Sequence, residues 1–235
     1  MDKNRIFLLK IDPSLSQDAY HYLLQLISEE KRARCLQFQF RQDALRVLYG
    51  ELMIRYLICR QFSCDNKEIS FYQNEEGKPY VKNLPIYFNL SHSGDFVVCA
   101  ISEQEVGVDI EQIKPIDLQL AKRYFHANEC KDLFAQKEAD RLNYFFSLWT
   151  LKESYLKWHG EKMATPLHSF SFHITDAHIT VTDPTQTQKP QFKQFSLDGY
   201  KLSLCTTVDD FPDRIEEITP EEIYYGITNS AFIVP

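Results

Sequence analysis

The chain has 235 residues, of which 44% are hydrophobic and 25% are charged, so it is long enough to bury one large core or two small ones. A formal net charge of −7 disfavours a general nucleic-acid binder, because such proteins carry a basic surface. No apolar run approaches the roughly 18 residues of a membrane span, and the first residues lack the apolar core of a signal peptide.

Six cysteines are spread along the chain, and no two of them form a CxxC pair. Without a secretion signal, this distribution is typical of reduced, buried thiols rather than of a disulfide framework. We therefore expect a cytoplasmic protein that has neither a membrane nor a nucleic acid as its partner.

The first part of the chain alternates strand and helix patterns. A strand is predicted over 4–11, and a helix over 15–27, where apolar residues recur at helical spacing. Ser28 is placed to cap the next helix, because two glutamates follow it and suit the positive end of the helix dipole. A longer helix is predicted from about 42 to 61. Four strands follow, over 68–73, 86–91, 95–101 and 105–110.

The second part of the chain predicts helices near 117–125 and 127–137 and a long helix from Arg141 to His159. Asp140 is the predicted N-cap of the long helix, and Gly160 follows its end. Strands are predicted near 169–174, 178–183, 191–197 and 200–207, the last two joined by an Asp-Gly turn. The predicted fold class is α+β, with two similar α/β halves over residues 1–105 and 106–235.

The stretch "EVGVDIEQ" (105–112) places two carboxylates at the end of an apolar strand. Asp109 and Glu111 are two residues apart, so their side chains point to the same face. Like charges repel unless a positive group lies between them. Water and lysines could screen them at an exposed strand end. A divalent cation explains the pair more specifically, because hard cations prefer oxygen ligands.

The stretch "FFSLWTLKESYLKWHG" (145–160) places Glu153 and Lys157 one helical turn apart. One interpretation is a surface ion pair worth about 0.2–0.5 kcal/mol. The helix is apolar around most of its circumference, however, so these charges need partners. We therefore expect Asp109, Glu111 and Glu153 to form a carboxylate triad for one divalent ion, with Lys157 one turn away to hold the bound anion.

The stretch "NLSHSGD" (89–95) contains Ser91 and His92. Neighbours on a strand point to opposite faces and no GxSxG elbow is present, so a hydrolytic triad is disfavoured. Two interpretations stay open. His92 either caps a turn, or it belongs to a phosphate site to which Ser91, Ser93 and Gly94 add donors.

Two further stretches carry basic residues. The stretch "EEGKPYV" (75–81) is either a simple turn or a loop that holds a flat base beside Lys78. Lys31, Arg34 and Arg46 form a basic cluster in an acidic chain, which indicates a small anion, although a solvated helix face is the alternative. No glycine-rich phosphate loop occurs. Three carboxylates with basic surroundings suit a magnesium–pyrophosphate substrate.

The paired motifs "GVDIEQ" and "WTLKESYLK" resemble the signature of the 4′-phosphopantetheinyl transferases. The additional matches "EKRARC", "GKPY" and "NLSHSGD" resemble the surfactin-synthetase-activating (Sfp) type, and together they cover about residues 5–210. The resemblance implies a monomer with two α/β halves in pseudo-twofold arrangement and the site between them. It also implies transfer of the 4′-phosphopantetheine group from coenzyme A to a serine of an apo acyl or peptidyl carrier protein, with release of adenosine 3′,5′-bisphosphate.

The resemblance also implies roles for individual residues. Mg²⁺ would be held by Asp109, Glu111 and Glu153. Phosphates would be contacted by Lys31, Arg34, His92 and Lys157, and the loop would be completed by Ser91, Ser93 and Gly94. Arg46, on the next helix, is expected to join Lys31 and Arg34 independently of the resemblance. The adenine would be framed by Glu76, Gly77, Lys78 and Pro79, largely through their backbone. Glu153 would take the proton of the carrier serine, directly or through water, with Glu129 as a second candidate.

Two departures from the family pattern concern the nucleotide contacts. Val47 stands where some relatives have a hydroxyl residue, and Arg34 stands where lysine is frequent, which keeps the charge but changes the geometry. We expect the first half to contact the adenosine and phosphates, and the second half to hold the metal and dock the carrier. The expected docking segment contains Lys114, Ile116, Leu118 and Tyr124.

Two other classes of function are compatible with the same residues. A magnesium-dependent hydrolase of nucleotides or of the coenzyme A pyrophosphate would use the same carboxylates. A non-catalytic coenzyme A binder would not need all three of them. The sequence does not indicate whether the carrier serves fatty-acid, polyketide or nonribosomal peptide synthesis.

Overall fold

The computed structural model describes residues 4–160, 165–175 and 178–228. The predicted α+β class is confirmed. The strands are β1 (Asn4–Lys10), β2 (Phe71–Gln73), β3 (Pro79–Val81), β4 (Tyr87–Ser93), β5 (Phe96–Ser102), β6 (Val106–Gln112), β7 (Ser171–Ile174), β8 (Ile179–Thr182), β9 (Gln191–Leu197), β10 (Tyr200–Thr206) and β11 (Glu216–Ile218). The helices are α1 (Gln17–Leu24), α2 (Glu29–Gln37), α3 (Arg41–Phe62), α4 (Leu120–Tyr124), α5 (Ala127–Ala135), α6 (Glu138–His159) and α7 (Pro220–Thr228).

The first half packs the long helix α3 on a four-stranded sheet with the order β11-β1-β5-β4. Most of α3 is buried, because its apolar residues cover more than one face and meet both the sheet and the flanking helices. Ser28 caps α2 as predicted, with its hydroxyl accepting from the Lys31 amide. The small hairpin β2–β3 extends beside this sheet.

The second half packs α6 on a three-stranded sheet with the order β6-β10-β9. Gly107 permits close contact between β6 and α6, because a Cβ at this position would lie 2.0 Å from the Ser154 carbonyl oxygen and 2.4 Å from the Trp158 nitrogen. Only glycine fits at this position of the "GVDIEQ" motif, because the backbone of α6 lies so close to β6. Gly160 ends α6 in the left-handed conformation, as predicted.

The two sheets meet along β4 and β6 through side chains. The backbone amides of Val108, Ile110 and Gln112 donate to side-chain oxygens of β4, at 2.9, 3.4 and 3.1 Å. The acceptors are alternate residues of β4, namely Asn89, Ser91 and Ser93. Polar side chains of one strand therefore satisfy the free backbone edge of the other.

Several element boundaries differ from the prediction. Helix α6 begins at Glu138, and Lys137 rather than Asp140 occupies the N-cap position. Glu138 and Asp140 lie in the first turn, where their negative charges suit the helix dipole. The short strand β3 was not predicted. Residues 66–68 form a 3₁₀ turn instead of the start of a strand, because Asp65 and Glu68 cap it.

The acidic C-terminal tail, which starts at about residue 209, returns to the first half. Strand β11 pairs in parallel with β1, and Arg5 binds Glu216 through two hydrogen bonds of 2.8 Å. Helix α7 packs on α3, where Gly226 leaves room for the ring of Tyr56. No element was predicted in the tail. Within the described residues, no helix is long and apolar enough to cross a membrane.

Candidate active site

A cleft of about 810 Å³ opens between α2, α3, the β2–β3 hairpin and β4. Six of the predicted binding residues line this cleft: Lys31, Arg34, Arg46, Pro79, Ser91 and His92. Val47 also lines it, so the departure from the family pattern lies in the cleft wall. The basic side chains of α2 and α3 and the strand that carries Ser91 and His92 therefore line the same cleft.

Asp109 lies where the cleft meets the second half. Its Oδ1 atom accepts hydrogen bonds from the Ser91 hydroxyl at 2.8 Å and from Lys157 Nζ at 2.6 Å. Its Oδ2 atom is buried and has no hydrogen-bond partner among the described residues. Burial raises the pKa of the Asp109 carboxyl, although the charge and hydrogen bond of Lys157 oppose this rise.

The other two predicted carboxylates lie close enough to interact with Asp109. Glu111 accepts a hydrogen bond of 2.7 Å from the Ser93 hydroxyl. Burial, and next the charge of Asp109, raise the pKa of Glu111 and of Glu153. The three groups therefore repel one another, as the sequence predicts for residues that share one site.

The structure does not assemble these carboxylates into a closed metal site. Over the described ranges, no group of three or more His, Cys, Asp or Glu side chains is arranged to hold a metal ion. The ammonium of Lys157 binds the Oδ1 atom of Asp109 instead. The unpartnered Oδ2 atom of Asp109 and the mutual repulsion of the carboxylates nevertheless fit an added cation. The magnesium site stays a prediction.

Lys157 is held by Asp109 and by neighbouring groups of β4 and β6. Its Nζ atom also donates to the Ser91 hydroxyl at 2.9 Å and to the Val108 carbonyl at 3.3 Å. Its side chain is about one quarter exposed, since 28% of its surface is accessible. The ammonium is therefore placed between the metal-ligand candidates and the cleft.

His92 lies on the exposed face of β4, opposite the buried Ser91. Ser91 donates to Asp109, so the serine and the histidine do not form a nucleophile–base pair. Local desolvation, and next the charges of Lys157 and Arg46, lower the pKa of His92. A lowered pKa favours the neutral imidazole, whose remaining N–H can donate a hydrogen bond to an anion.

Arg46 holds the β4–β5 turn. It donates to the Gly94 carbonyl through Nε at 3.0 Å and Nη2 at 2.8 Å, and to Asp43 at 2.6 Å. Gly94 has a φ of +54°, and a Cβ there would lie 2.3 Å from the Tyr200 hydroxyl. A larger residue would therefore disturb the turn whose carbonyl Arg46 binds.

The predicted adenine loop is only partly at the cleft. Of its four residues, Pro79 lines the cleft, whereas Glu76, Gly77 and Lys78 do not. Gly77 forms the β2–β3 turn with a φ of +87°. The Lys78 side chain is directed away from the cleft and is buried against the start of β6 and the end of α6.

Glu129 is not a suitable general base in this structure. Its side chain has no exposed surface and forms an ion pair of 2.9 Å with the equally buried Lys152. Its oxygens also accept from the amides of His126 and Phe172, each at 2.8 Å. Because these contacts occupy both oxygens, Glu129 stabilises the packing of α5, α6 and β7 and does not reach the cleft.

Sequence reasoning missed several residues that line the cleft. Glu51 and Arg55 form a buried ion pair of 2.8 Å on α3, and Glu51 also accepts from the amide and hydroxyl of Ser28 at 2.7 and 2.8 Å. The sequence pattern that could have indicated this ion pair is two opposite charges four residues apart in a long apolar helix. Lys82 and Tyr72 also line the cleft, and no comparable sequence pattern marks them.

Two family models match the chain. The model described as "4′-phosphopantetheinyl transferase, N-terminal" matches residues 12–104. The model described as "4′-phosphopantetheinyl transferase superfamily" matches residues 105–205. The two matches adjoin at the start of the strand that carries Asp109 and Glu111.

Relatives from three species match most of the chain. The 4′-phosphopantetheinyl transferase Sfp of Bacillus subtilis (strain 168) is 38% identical over 93% of this chain and 99% of its own length. The transferase psf-1 of Bacillus pumilus is 36% identical over 96% of this chain and 99% of its own length. The transferase gsp of Aneurinibacillus migulanus is 35% identical over 84% of both chains. The chain therefore belongs to the 4′-phosphopantetheinyl transferases of the surfactin-synthetase-activating (Sfp) type, enzymes that transfer the 4′-phosphopantetheine group of coenzyme A to a carrier protein.

Proposed function

We propose that coenzyme A binds with its adenosine and 3′-phosphate in the basic cleft and with its pyrophosphate beside Asp109. The phosphopantetheine arm then passes to a serine of an apo acyl or peptidyl carrier protein, and adenosine 3′,5′-bisphosphate is released. One observation carries this proposal: Ser91 lines the basic cleft and also bonds Asp109, so the phosphate site and the carboxylate cluster are contiguous.

The nucleotide end of the cleft is formed by the start of α2. Lys31 and Arg34 are three residues apart on this helix, so their side chains are neighbours. The helix start is held by Glu51, which accepts both the amide and the hydroxyl of Ser28. We assign the 3′-phosphate to Lys31 and Arg34, because charged groups held on an anchored helix bind a phosphate without reordering the backbone.

The pyrophosphate end has both a cation site and a base. Asp109, Glu111 and Glu153 would hold Mg²⁺, which supplies neutralisation of the pyrophosphate and of the leaving bisphosphate. Lys157 adds a positive charge on the same side. Glu153 would accept the proton of the carrier serine, directly or through a water.

The carrier protein would dock on the second half, near the segment after β6. Ile116, Leu118 and Tyr124 pack against the core of this half while keeping some exposed surface, and Lys114 is exposed beside them. An apolar patch beside a lysine fits the acidic surface expected of a carrier protein. All six cysteines are free, which supports a reducing compartment, the cytoplasm. We propose that the enzyme acts as a monomer, because one chain supplies both ends of the site.

The function is tested by intact-mass spectrometry of a panel of apo carrier proteins with coenzyme A and Mg²⁺. The expected product is a carrier that has gained one phosphopantetheine group at its serine. Release of bisphosphate from coenzyme A without any carrier would instead show a hydrolase. Binding of coenzyme A without either product would show a non-catalytic binder.

A further inference from the structure

Buried hydrogen bonds from α3 hold the start of helix α2. Glu51 Oε1 accepts from the Ser28 amide at 2.7 Å, and Glu51 Oε2 accepts from the Ser28 hydroxyl at 2.8 Å. The same hydroxyl accepts from the Lys31 amide at 3.4 Å. Amides at a helix N-terminus lack intrahelical partners and favour a negative charge. Glu51 therefore acts on the first turn of α2 directly at Ser28 and, through the serine hydroxyl, at Lys31.

Arg55 links this carboxylate to a second point of the same segment. Its Nε atom donates to Glu51 Oε1 at 2.8 Å, and its Nη1 atom donates to the backbone carbonyl and the side-chain oxygen of Asn66 at 3.2 and 3.1 Å. Asn66 Nδ2 then donates to the Leu26 carbonyl at 2.8 Å. Residues 26 and 28 are thus both held by side chains that are themselves buried.

Glu51 is not a phosphate ligand, although it lines the cleft. Like charges repel, and the guanidinium of Arg55 offsets the negative charge of Glu51 at 2.8 Å. A buried ion pair is also a weak source of net stability compared with apolar residues of similar volume. Stability alone therefore does not account for a charged pair in this part of the cleft wall.

We propose that Glu51 and Arg55 are positioning residues that fix the first turn of α2, so that Lys31 and Arg34 are held side by side for one phosphate. This inference rests on the proposed function, in which these two basic residues bind the 3′-phosphate of coenzyme A. Long basic side chains lose conformational freedom when they bind a ligand, and a helix start that became ordered at the same time would add to this loss. The buried network avoids the second loss, because it orders the backbone of α2 before the ligand binds.

The proposal predicts the sign of one substitution. Glu51→Gln keeps the shape of the side chain and removes its negative charge. If Glu51 affected the ligand through its charge alone, the uncompensated positive charge of Arg55 would strengthen phosphate binding. If Glu51 positions α2, the weaker hydrogen bonds to Ser28 loosen the helix start and weaken phosphate binding. The two explanations therefore predict opposite changes.

The experiment measures the ratio of two dissociation constants, that of dephospho-coenzyme A divided by that of coenzyme A, by isothermal titration calorimetry with Mg²⁺. The two ligands differ only in the 3′-phosphate, so the ratio isolates the contribution of this group to binding. We expect Glu51→Gln to lower the ratio by about threefold or more. An unchanged or higher ratio would overturn the proposal.

Glu129→Gln is the matched control for loss of stability. It also removes the charge of a buried glutamate that pairs with a basic residue, but in the other half of the protein. Both variants should lower Tm, whereas only Glu51→Gln should lower the ratio. An equal fall of the ratio in both variants would refute the positioning role, because general destabilisation would then be the cause.

Ser28→Ala keeps the test decisive where Glu51→Gln does not fold. This variant leaves every charge in place and removes the hydroxyl through which Glu51 acts on the Lys31 amide. The ratio should fall here as well, and the double variant should lose less than the sum of the two single losses, because both residues belong to one network. An unchanged ratio in Ser28→Ala, or fully additive losses in the double variant, would overturn the proposal.

Lys31→Ala distinguishes this inference from the proposed function. A fall of the ratio by about tenfold or more in Lys31→Ala, together with a fall in Glu51→Gln, supports both. If the ratio is unchanged in Lys31→Ala, the 3′-phosphate does not bind at α2, and the inference fails with that part of the proposed function. If the ratio falls in Lys31→Ala but not in Glu51→Gln, only the positioning role is refuted.

Discussion

The substitution Asp109→Asn separates the charge of this side chain from its shape. In the structure, Oδ1 accepts from Ser91 and Lys157, and the buried Oδ2 has no partner among the described residues. An asparagine can keep its carbonyl oxygen at the Oδ1 position, so both hydrogen bonds can persist. The substitution then changes only the Oδ2 position, where a carboxylate oxygen becomes an amide nitrogen that cannot bind a cation.

The effect on stability should be small because two contributions oppose each other. A hydrogen bond to a charged group is worth about 1.5–3 kcal/mol and a neutral one about 0.5–1.5 kcal/mol, so the Lys157 contact weakens by about 1 kcal/mol. Burial raises the pKa of Asp109, so removal of the charge also removes a desolvation cost. We expect the free energy of unfolding to change by about 1 kcal/mol at most, or about 2–4 °C in Tm.

The effect on transfer should be much larger. Loss of one of three carboxylates from a divalent cation leaves the pyrophosphate less well neutralised, and we expect kcat/KM to fall by about two orders of magnitude or more, which corresponds to about 2.7 kcal/mol. Intact-mass kinetics over a series of Mg²⁺ concentrations measures this loss, and thermal denaturation measures stability. High Mg²⁺ should restore part of the activity.

Asp198→Asn is the matched control, because Asp198 is exposed in a hairpin turn of the same half and Asn-Gly is equally favoured there. It should leave transfer unchanged. Near-normal transfer by Asp109→Asn at low Mg²⁺ would show that Asp109 does not bind the cation. A fall in Tm far beyond the expected range would instead show that the carboxylate is needed for folding.

Four further predictions concern other parts of the enzyme. Lys31→Ala should raise KM for coenzyme A by about ten- to a hundredfold but change KM for dephospho-coenzyme A much less; an equal rise would show that Lys31 does not contact the 3′-phosphate. Glu129→Gln should lower the free energy of unfolding by about 3–5 kcal/mol in urea denaturation, because it leaves its buried lysine partner uncompensated; a large fall in kcat without this loss would restore Glu129 as the base. Ile116→Asp should raise KM for the carrier protein only, and an equal rise for coenzyme A would make the segment structural. Burial and a neighbouring carboxylate raise the pKa of Glu111 and Glu153, so the protein without a cation should lose stability as pH rises through these raised values. Mg²⁺ should therefore increase Tm more above that pH than below it. A Mg²⁺ effect on Tm that does not depend on pH would count against the shared site.

Local patterns in the sequence were sufficient to predict the central strand and helix. Asp109 and Glu111 alternate with apolar residues on β6, and both accept hydrogen bonds from serines of β4. Glu153 and Lys157 lie one turn apart on α6 and interact with the same carboxylate. Periods of two and of 3.6 residues fix which side chains share a face, so the pairing of Asp109 with Glu111 on β6 and of Glu153 with Lys157 on α6 follows from the sequence alone.

Long-range contacts could not be predicted in this way. Strand β11 has three residues and pairs with β1 from the far end of the chain, so no local period marks it. The sequence predicted that Lys78 lies beside a base, in a loop that matches the family pattern. Its direction depends on Glu105 and on two carbonyl groups, one of them 80 positions away in the sequence. Only tertiary structure brings these acceptors together.

The junction of the two sheets explains why a strand that leaves the core carries charge. A buried carboxylate is costly unless hydrogen bonds and a counter-charge offset its desolvation. Ser91 supplies one hydrogen bond to Asp109 and at the same time accepts from the Ile110 amide at the free edge of β6. Ser93 acts in the same way for Glu111 and Gln112. The serines that join the halves thus also orient the carboxylates. They leave the Oδ2 atom of Asp109 unpartnered among the described residues. A cation that bound there would offset the desolvation of a carboxylate that is already buried in the fold.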